Sequence, residues 1–207
     1  MAKSQLTRVH VWKPAANPAT ARTLLLLHGT GADENDLLGL GRQLDPEANL
    51  LSPRGNVVTD GMARFFVRHD DGTFDVPSIV KAVKELREFL LIAQWEYGID
   101  ADNVWAVGFS NGASTAVALL QSSPDILQGI VAFAATTAMN LPSGDASLKG
   151  KKVFLANGLT DAYTPEAQTK AIMKQLTDAG ADVTLMTHPG GHTIVMPHVQ
   201  QVRKSLG

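Results

Sequence analysis

The 207-residue sequence contains no cysteine. This absence excludes a disulfide framework, a thiolate metal site and a cysteine nucleophile. The sequence also lacks an apolar run of the ~20 residues that a membrane-spanning helix needs, and its first residues lack the apolar segment of a signal peptide. We therefore expect a cytoplasmic protein with no membrane partner.

Excess positive charge is absent as well. The chain has 18 Lys and Arg against 20 Asp and Glu, a formal net charge of -2 at pH 7. Nucleic-acid-binding proteins carry a basic surface, and the densest basic cluster here, Lys149–Lys152, is typical of a solvated loop. The composition predicts no nucleic-acid partner.

Short apolar runs alternate with helical patterns along the chain. Apolar residues recur at spacings of three and four from Ile79 to Tyr97, which predicts a long helix that Gly98 ends. Further helices are predicted over Ala113–Gln121 and from an N-cap at Thr164 to about Ala179, with a loop at Pro142–Asp145. The predicted buried strands are Thr23–Leu27, Asn49–Leu51, Val104–Val107, Gly129–Phe133, Val153–Ala156 and Val183–Met186.

This order of elements predicts the fold class. Strands that alternate with helices form a mostly parallel central sheet with helices on both faces. A length of 207 residues with 44% hydrophobic residues suits one α/β domain over residues 1–207. In such sheets, ligands bind at the carboxyl ends of the strands.

The motif GFSNGA follows one predicted strand and precedes a predicted helix. Gly108 and Gly112 leave room for crowded backbone around Ser110, as in the nucleophile elbow of serine hydrolases. A serine hydroxyl needs a base to become nucleophilic at neutral pH. Ser110 is therefore the candidate nucleophile.

His192 is the candidate base and Asp161 the candidate acid. His192 follows Pro189-Gly190-Gly191, just beyond the last predicted strand, and Asp161 follows the strand Val153–Ala156. The order Ser, Asp, His along the chain is the one expected in an α/β-hydrolase. We interpret His188 and His198 as surface or packing residues.

An oxyanion formed at the attacked carbonyl needs two hydrogen-bond donors. The strand Leu24–Leu27 leads into a loop that contains glycine, and the backbone N–H groups of Thr30 and Asn111 are the predicted pair. We interpret His28 as a residue that orients this loop.

Two other chemical readings are weaker. Gly29-Thr30-Gly31 begins like a dinucleotide fingerprint, but Glu34 replaces its last glycine. His188 and His192 have the spacing of a zinc-binding helix, but the intervening Pro-Gly-Gly forbids that helix. We expect neither a cofactor nor a metal.

The sequence resembles the phospholipase/carboxylesterase and acyl-protein thioesterase branch of the α/β-hydrolases, especially small bacterial members linked to hydroquinone response. The resemblance extends from about Leu24 to Leu206. It rests on LLLHGTGADENDLL, LSPRG, RFF followed by FD, GFSNGA, NGLTDAYTP and GGHTI, in that order.

The resemblance implies an α/β-hydrolase with minimal or no lid, no cofactor, a Ser-Asp-His triad and a preference for short acyl esters or thioesters. It also implies that homodimers are common. Matching positions put Arg54, Phe65 and Phe66 near the pocket, and Tyr163 stands there in place of a small aliphatic residue. Thr30 replaces the leucine typical of the thioesterases.

The predicted function is therefore that of a serine hydrolase that cleaves carboxylic esters through an acyl-enzyme intermediate. Two alternatives remain. A protein with this site can hold a small ligand without hydrolysing it, because fold alone does not fix activity. A peptidase uses the same catalytic parts, although no feature of the sequence indicates a peptide groove.

Overall fold

The computed structural model describes residues 6–69, 73–136 and 147–207. The strands are β1 (His10–Lys13), β2 (Thr23–Leu27), β3 (Asn49–Pro53), β4 (Val57–Thr59), β5 (Met62–Arg64), β6 (Val104–Phe109), β7 (Gly129–Phe133), β8 (Lys152–Gly158) and β9 (Asp182–His188). The helices are α1 (Leu38–Leu44), α2 (Val76–Tyr97), α3 (Asn111–Ser122), α4 (Glu166–Asp178) and α5 (Met196–Leu206), with 3₁₀ turns at Ala101–Asn103 and Pro124–Ile126. The loop predicted over Pro142–Asp145 lies outside the described residues.

Seven of these strands form one sheet in the order β1-β3-β2-β6-β7-β8-β9. All neighbours pair in parallel except β1, which lies antiparallel to β3 at one edge. The short strands β4 and β5 form a separate hairpin. The predicted α/β fold with a mostly parallel sheet is confirmed.

The central strands are buried on both faces, which explains their uninterrupted apolar runs. In β2, Leu25 and Leu27 belong to the cluster that packs under α2, α3 and α4. Leu24 and Leu26 point the opposite way and join the cluster that packs against α1 and α5. Because side chains alternate along a strand, one leucine run supplies both halves of the core.

The predicted long helix is present as α2, and both of its ends follow local rules. The side chain of Asp75 accepts a hydrogen bond from Ser78 N–H at 3.1 Å, which caps the first turn. Gly98 ends the helix in the left-handed conformation, with φ 66°.

The prediction that Thr164 is the N-cap of α4 is wrong. Helix α4 begins at Glu166, and Pro165 occupies the cap position without a side-chain hydrogen bond. The hydroxyl of Thr164 instead donates to the carboxylate of Asp161 at 2.5 Å. The hydroxyl of Thr164 thus donates to a charged carboxylate, which makes a stronger hydrogen bond than the one that its oxygen would accept from a backbone N–H at the helix end.

Sequence patterns also missed β1, the β4–β5 hairpin and α1. The two glycines within α1 lower its helical propensity, and the strands of the hairpin are only three residues long. Within the described residues, no helix combines the length and hydrophobicity needed to cross a bilayer.

Candidate active site

Ser110 lies on the sharp turn between β6 and α3. Its backbone has φ 54° and ψ -115°, a region that L-residues other than glycine rarely occupy. Two hydrogen bonds hold the turn: Ser110 N–H donates to Phe133 O at 2.9 Å, and Ser114 N–H donates to Ser110 O at 3.0 Å. Such strain persists only where the surrounding structure enforces it, and it concentrates at functional sites.

The two glycines of the motif are required by close backbone contacts. A Cβ added at Gly112 would collide with the carbonyl oxygen of Leu27 at the end of β2. A Cβ added at Gly108 would collide with the carbonyl oxygen of Gly112 itself. The start of α3 therefore packs directly on the neighbouring strands, as the nucleophile elbow requires.

Asp161 and His192 are joined by a hydrogen bond between Oδ2 and Nδ1 of 2.7 Å. The buried carboxylate also accepts Tyr163 N–H at 2.8 Å and Thr164 N–H at 3.2 Å, in addition to the Thr164 hydroxyl. Burial by itself raises the pKa of Asp161, but the hydrogen bonds from Thr164, His192 and Tyr163 outweigh it and lower that pKa below its ordinary value. Asp161 is therefore charged at neutral pH.

The loops that carry Asp161 and His192 are bonded to each other. Leu159 N–H donates to His188 O at 2.8 Å, and Thr160 N–H donates to Gly190 O at 3.2 Å. These bonds extend the pairing of β8 with β9 beyond the sheet. The aspartate and the histidine thus leave two adjacent parallel strands at the same edge.

Ser110 and His192 line one small cavity, with a volume of about 40 Å³. The remaining described residues around it are Thr30, Phe66, Arg68, Phe74, Asn111, Ser114, Ala134, Thr136, Tyr163 and Thr164. The structure therefore brings the predicted nucleophile, base and both predicted oxyanion donors to the same place.

The two predicted oxyanion donors belong to adjacent parts of the site. Asn111 is the first residue of α3, so its N–H has no intrahelical acceptor. Thr30 follows Gly29, where an added Cβ would lie 3.6 Å from Cβ of Ser110. The loop after β2 therefore passes directly over the nucleophile.

His28 holds that loop in place. Its Nε2 accepts Gly55 N–H at 2.9 Å, so the proton of the neutral ring is on Nδ1. Nδ1 donates that proton to Gly29 O at 2.7 Å. The ring is 1% exposed. Burial lowers the pKa of His28 and outweighs the hydrogen bond to Gly29 and the nearby carboxylates, which act in the opposite direction. The side chain is thus a neutral bridge between two loops, in line with its interpretation as an orienting residue.

The side chain of Asn111 has a second task that the sequence did not reveal. Its Oδ1 accepts Phe65 N–H at 2.8 Å, and its Nδ2 donates to Phe66 O at 3.3 Å. The residue next to Ser110 therefore binds the segment that forms one wall of the cavity.

Comparison with known proteins identifies the family of the chain. Residues 10–207 match the phospholipase/carboxylesterase family. The chain belongs to the phospholipase/carboxylesterase family. It is therefore a carboxylesterase-family hydrolase, and the resemblance found in its motifs is confirmed.

Individual relatives agree with this membership. The chain is 36% identical over 184 residues to the MhqD protein of Bacillus subtilis (strain 168), covering 87% of this chain and 90% of that one. The crystal structure of the Bacillus cereus carboxylesterase superposes with a TM-score of 0.93 at 37% identity, covering 98% of this chain and 95% of that chain. A carboxylesterase from Mesorhizobium loti gives a TM-score of 0.83 at 30% identity, with 89% and 88% covered.

The four residues predicted near the pocket of this carboxylesterase-family chain lie in different places. Phe66 and Tyr163 line the cavity, and the tyrosine ring is centred 5.2 Å from that of His192. Phe65 is not among the residues that line the cavity. It is buried and packs on the ring of His28.

Arg54 lines a separate cleft and forms an ion pair with Glu34, so its placement at the pocket is corrected. The guanidinium goes to the carboxylate because a bidentate pair satisfies both groups. The N–H of its neighbour Gly55 donates to Nε2 of His28.

Several cavity residues escaped sequence reasoning. Ser114 lies one helical turn after Ser110, and that spacing was the available signal. Phe74 belongs to the FD pair of the resemblance, which gave it no role, and Thr136 and Arg68 lie outside every motif. Only the folded chain brings these three residues to the cavity.

Replacement of Gly112 by alanine should break the elbow. We expect Gly112→Ala to lower the free energy of unfolding by about 3 kcal/mol or more, because the added methyl group would overlap with the carbonyl oxygen of Leu27. Gly39→Ala is the matched control, since an added Cβ there meets no atom within 4 Å and alanine favours a helix by roughly 0.5 kcal/mol or more. Urea unfolding measures both variants, and equal stabilities would contradict the packing described.

The pKa of His28 also predicts a dependence of stability on pH. Because that pKa is lowered in the folded state, the unfolded chain binds the proton first as the pH falls below about 6.5, and stability declines. The burial of His198, which lowers its pKa in the same way, adds to the decline. We expect His28→Gln to show a smaller loss between pH 7.5 and pH 5 than the wild type by chemical unfolding; an unchanged slope would contradict the neutral bridge.

Proposed function

We propose that the protein is a serine hydrolase that cleaves carboxylic esters of short acyl chains, and thioesters of similar size, with Ser110, Asp161 and His192 as its catalytic triad. The observation that carries this proposal is the 2.7 Å hydrogen bond from His192 Nδ1 to Asp161 Oδ2, made by an imidazole that shares a cavity with Ser110.

Acylation would begin with proton removal from Ser110. Because Nδ1 of His192 is turned to Asp161, Nε2 is the nitrogen that accepts the serine proton as Oγ attacks the ester carbonyl. The charged carboxylate of Asp161 holds the ring in this tautomer and stabilises its protonated form. His192 then passes the proton to the departing alcohol, and the acyl group remains on Ser110.

The negative charge on the attacked oxygen would be stabilised by the N–H groups of Thr30 and Asn111. The dipole of α3 adds to this stabilisation, since its N-terminus is at the nucleophile. A water molecule deprotonated by His192 then attacks the acyl-enzyme, and the bond from the acyl carbon to Ser110 Oγ breaks. His192 returns the proton to Ser110 Oγ, and the carboxylic acid leaves.

Strain at Ser110 favours this function over ligand binding without reaction. Holding Ser110 at φ 54° costs roughly 1–3 kcal/mol of stability. A pocket that only binds a ligand has no need of this strained conformation. An exposed hydroxyl next to free backbone donors is what acyl transfer requires. A peptidase uses the same catalytic parts, and the membership of the phospholipase/carboxylesterase family is what favours esters over amides.

Removal of the nucleophile is the direct test. We expect Ser110→Ala to lower the rate of p-nitrophenyl acetate hydrolysis by about a thousandfold or more and to abolish labelling by a fluorophosphonate probe, because no acyl-enzyme forms. Ser205→Ala, on the far helix α5, should leave both unchanged. Labelling that survives in Ser110→Ala and maps to another residue would refute the assignment.

The carboxylate can be tested separately from the nucleophile. We expect Asp161→Asn to reduce kcat by about 10³- to 10⁴-fold with little change in KM, since the amide no longer stabilises the imidazolium. Asp178→Asn is the control, because that exposed carboxylate pairs with Lys174 on the surface of α4. An Asp161→Asn variant that is folded by circular dichroism and retains full kcat would remove Asp161 from the triad.

A further inference from the structure

Two hydroxyl groups form a polar pair in the buried part of the cavity. Ser114 Oγ and Thr136 Oγ1 are 3.2 Å apart, and Thr136 N–H donates to Ser114 Oγ at 3.1 Å. Both residues line the cavity that contains Ser110, and they are 2% and 6% exposed. The proposed triad leaves this pair without a role.

A count of protons shows what the pair can do. The two hydroxyls have two protons, and their mutual hydrogen bond uses one of them, whichever oxygen is the donor. The backbone N–H of Thr136 occupies an acceptor position and uses no hydroxyl proton. Among the residues that the structure describes, these are the contacts of the two hydroxyls, so one O–H is left to donate to a group in the cavity.

Hydrogen bonds to β8 hold the segment that carries Thr136. Ala134 has φ 55°, an unfavourable conformation for a residue with a Cβ. Its N–H donates to Ala156 O at 2.8 Å, and the Asn157 amide donates to Ala135 O at 3.1 Å. The strained turn thus directs Thr136 toward Ser114, and strain of this kind is typical of binding sites.

The position of the pair indicates which part of a substrate it meets. Ser114 lies in the first turn of α3, four residues after Ser110 at the N-cap of that helix, a rise of about 6 Å. His192 must reach the departing alcohol, so the alcohol lies toward His192 and the exposed Tyr163, and the acyl group takes the buried end. A cavity of about 40 Å³ has room for roughly three water-sized groups there.

We propose that the Ser114–Thr136 hydroxyl pair is an acyl-recognition subsite that selects short acyl groups with an acceptor oxygen two or three bonds beyond the scissile carbonyl carbon, such as alkoxy- or hydroxyacyl esters. The proposal rests on the hydrolase function proposed above. A hydrocarbon chain of the same size covers the free O–H without giving it a partner, which costs binding in a buried site. An ether or hydroxyl oxygen at that position accepts the proton.

The test compares two esters of nearly equal shape, p-nitrophenyl methoxyacetate and p-nitrophenyl butanoate. We measure kcat/KM for each, divided by its rate of alkaline hydrolysis to remove intrinsic reactivity. The wild type should favour the methoxyacetate by about 10- to 100-fold on this scale. A ratio near one or below it would overturn the proposal without any variant.

Variants make the proton count itself testable. Ser114→Ala and Thr136→Val each remove one hydroxyl and leave the other with a free proton, so each single variant should retain a preference for the methoxyacetate. The double variant loses both protons, and its ratio should fall to near one. A folded double variant that keeps the wild-type ratio would overturn the proposal.

Thr115→Val is the matched control, because that buried hydroxyl on the same helix donates to Asn111 O at 2.8 Å and does not line the cavity. This variant should change kcat/KM for both esters by the same factor. Hydrolysis of p-nitrophenyl acetate with fluorophosphonate labelling at Ser110, but no difference between the paired esters, would overturn the subsite and leave the hydrolase in place. Failure of the wild type to hydrolyse any ester or to label would overturn both.

Discussion

The site depends on one backbone contact, the packing of the first turn of α3 on the carbonyl groups at the end of β2. Gly112 has no side chain, so the helix approaches Leu27 and His28 more closely than any other residue would permit. This contact forces Ser110 into its strained conformation and brings the loop after β2 over it. The candidate nucleophile and the candidate donor Asn111 are thus positioned by packing on the sheet, and Thr30 lies on a loop that His28 holds in place.

The other half of the site depends on hydrogen bonds around a buried charge. Burial raises the pKa of Asp161 and so disfavours its charged form. Four donors, from Tyr163, Thr164 and His192, keep it charged and fix its direction. The bonds between the loops after β8 and β9 hold the two residues in register, so the charge faces the imidazole without a conformational change.

Sequence reasoning succeeded where a local pattern has a single structural solution. Continuous apolar runs between helical patterns predicted the parallel sheet, and a serine between two glycines predicted the turn before α3. It failed where a side chain chooses between alternative hydrogen-bond partners in the folded chain. Arg54 pairs with Glu34, and Thr164 donates to Asp161 instead of capping α4, because each finds a stronger acceptor in the folded chain.

The amino-acid sequence by itself determined the order of the central strands and the long helices, the glycines of the elbow and the family. These follow from periodicity, from backbone conformations that few residues adopt and from the motifs. The tertiary structure alone decided which side chains face the cavity. Ser114 and Thr136 lie 22 residues apart in the chain and come within 3.2 Å only when α3 packs beside the segment after β7. Such a meeting depends on packing between distant elements, and no short pattern records it.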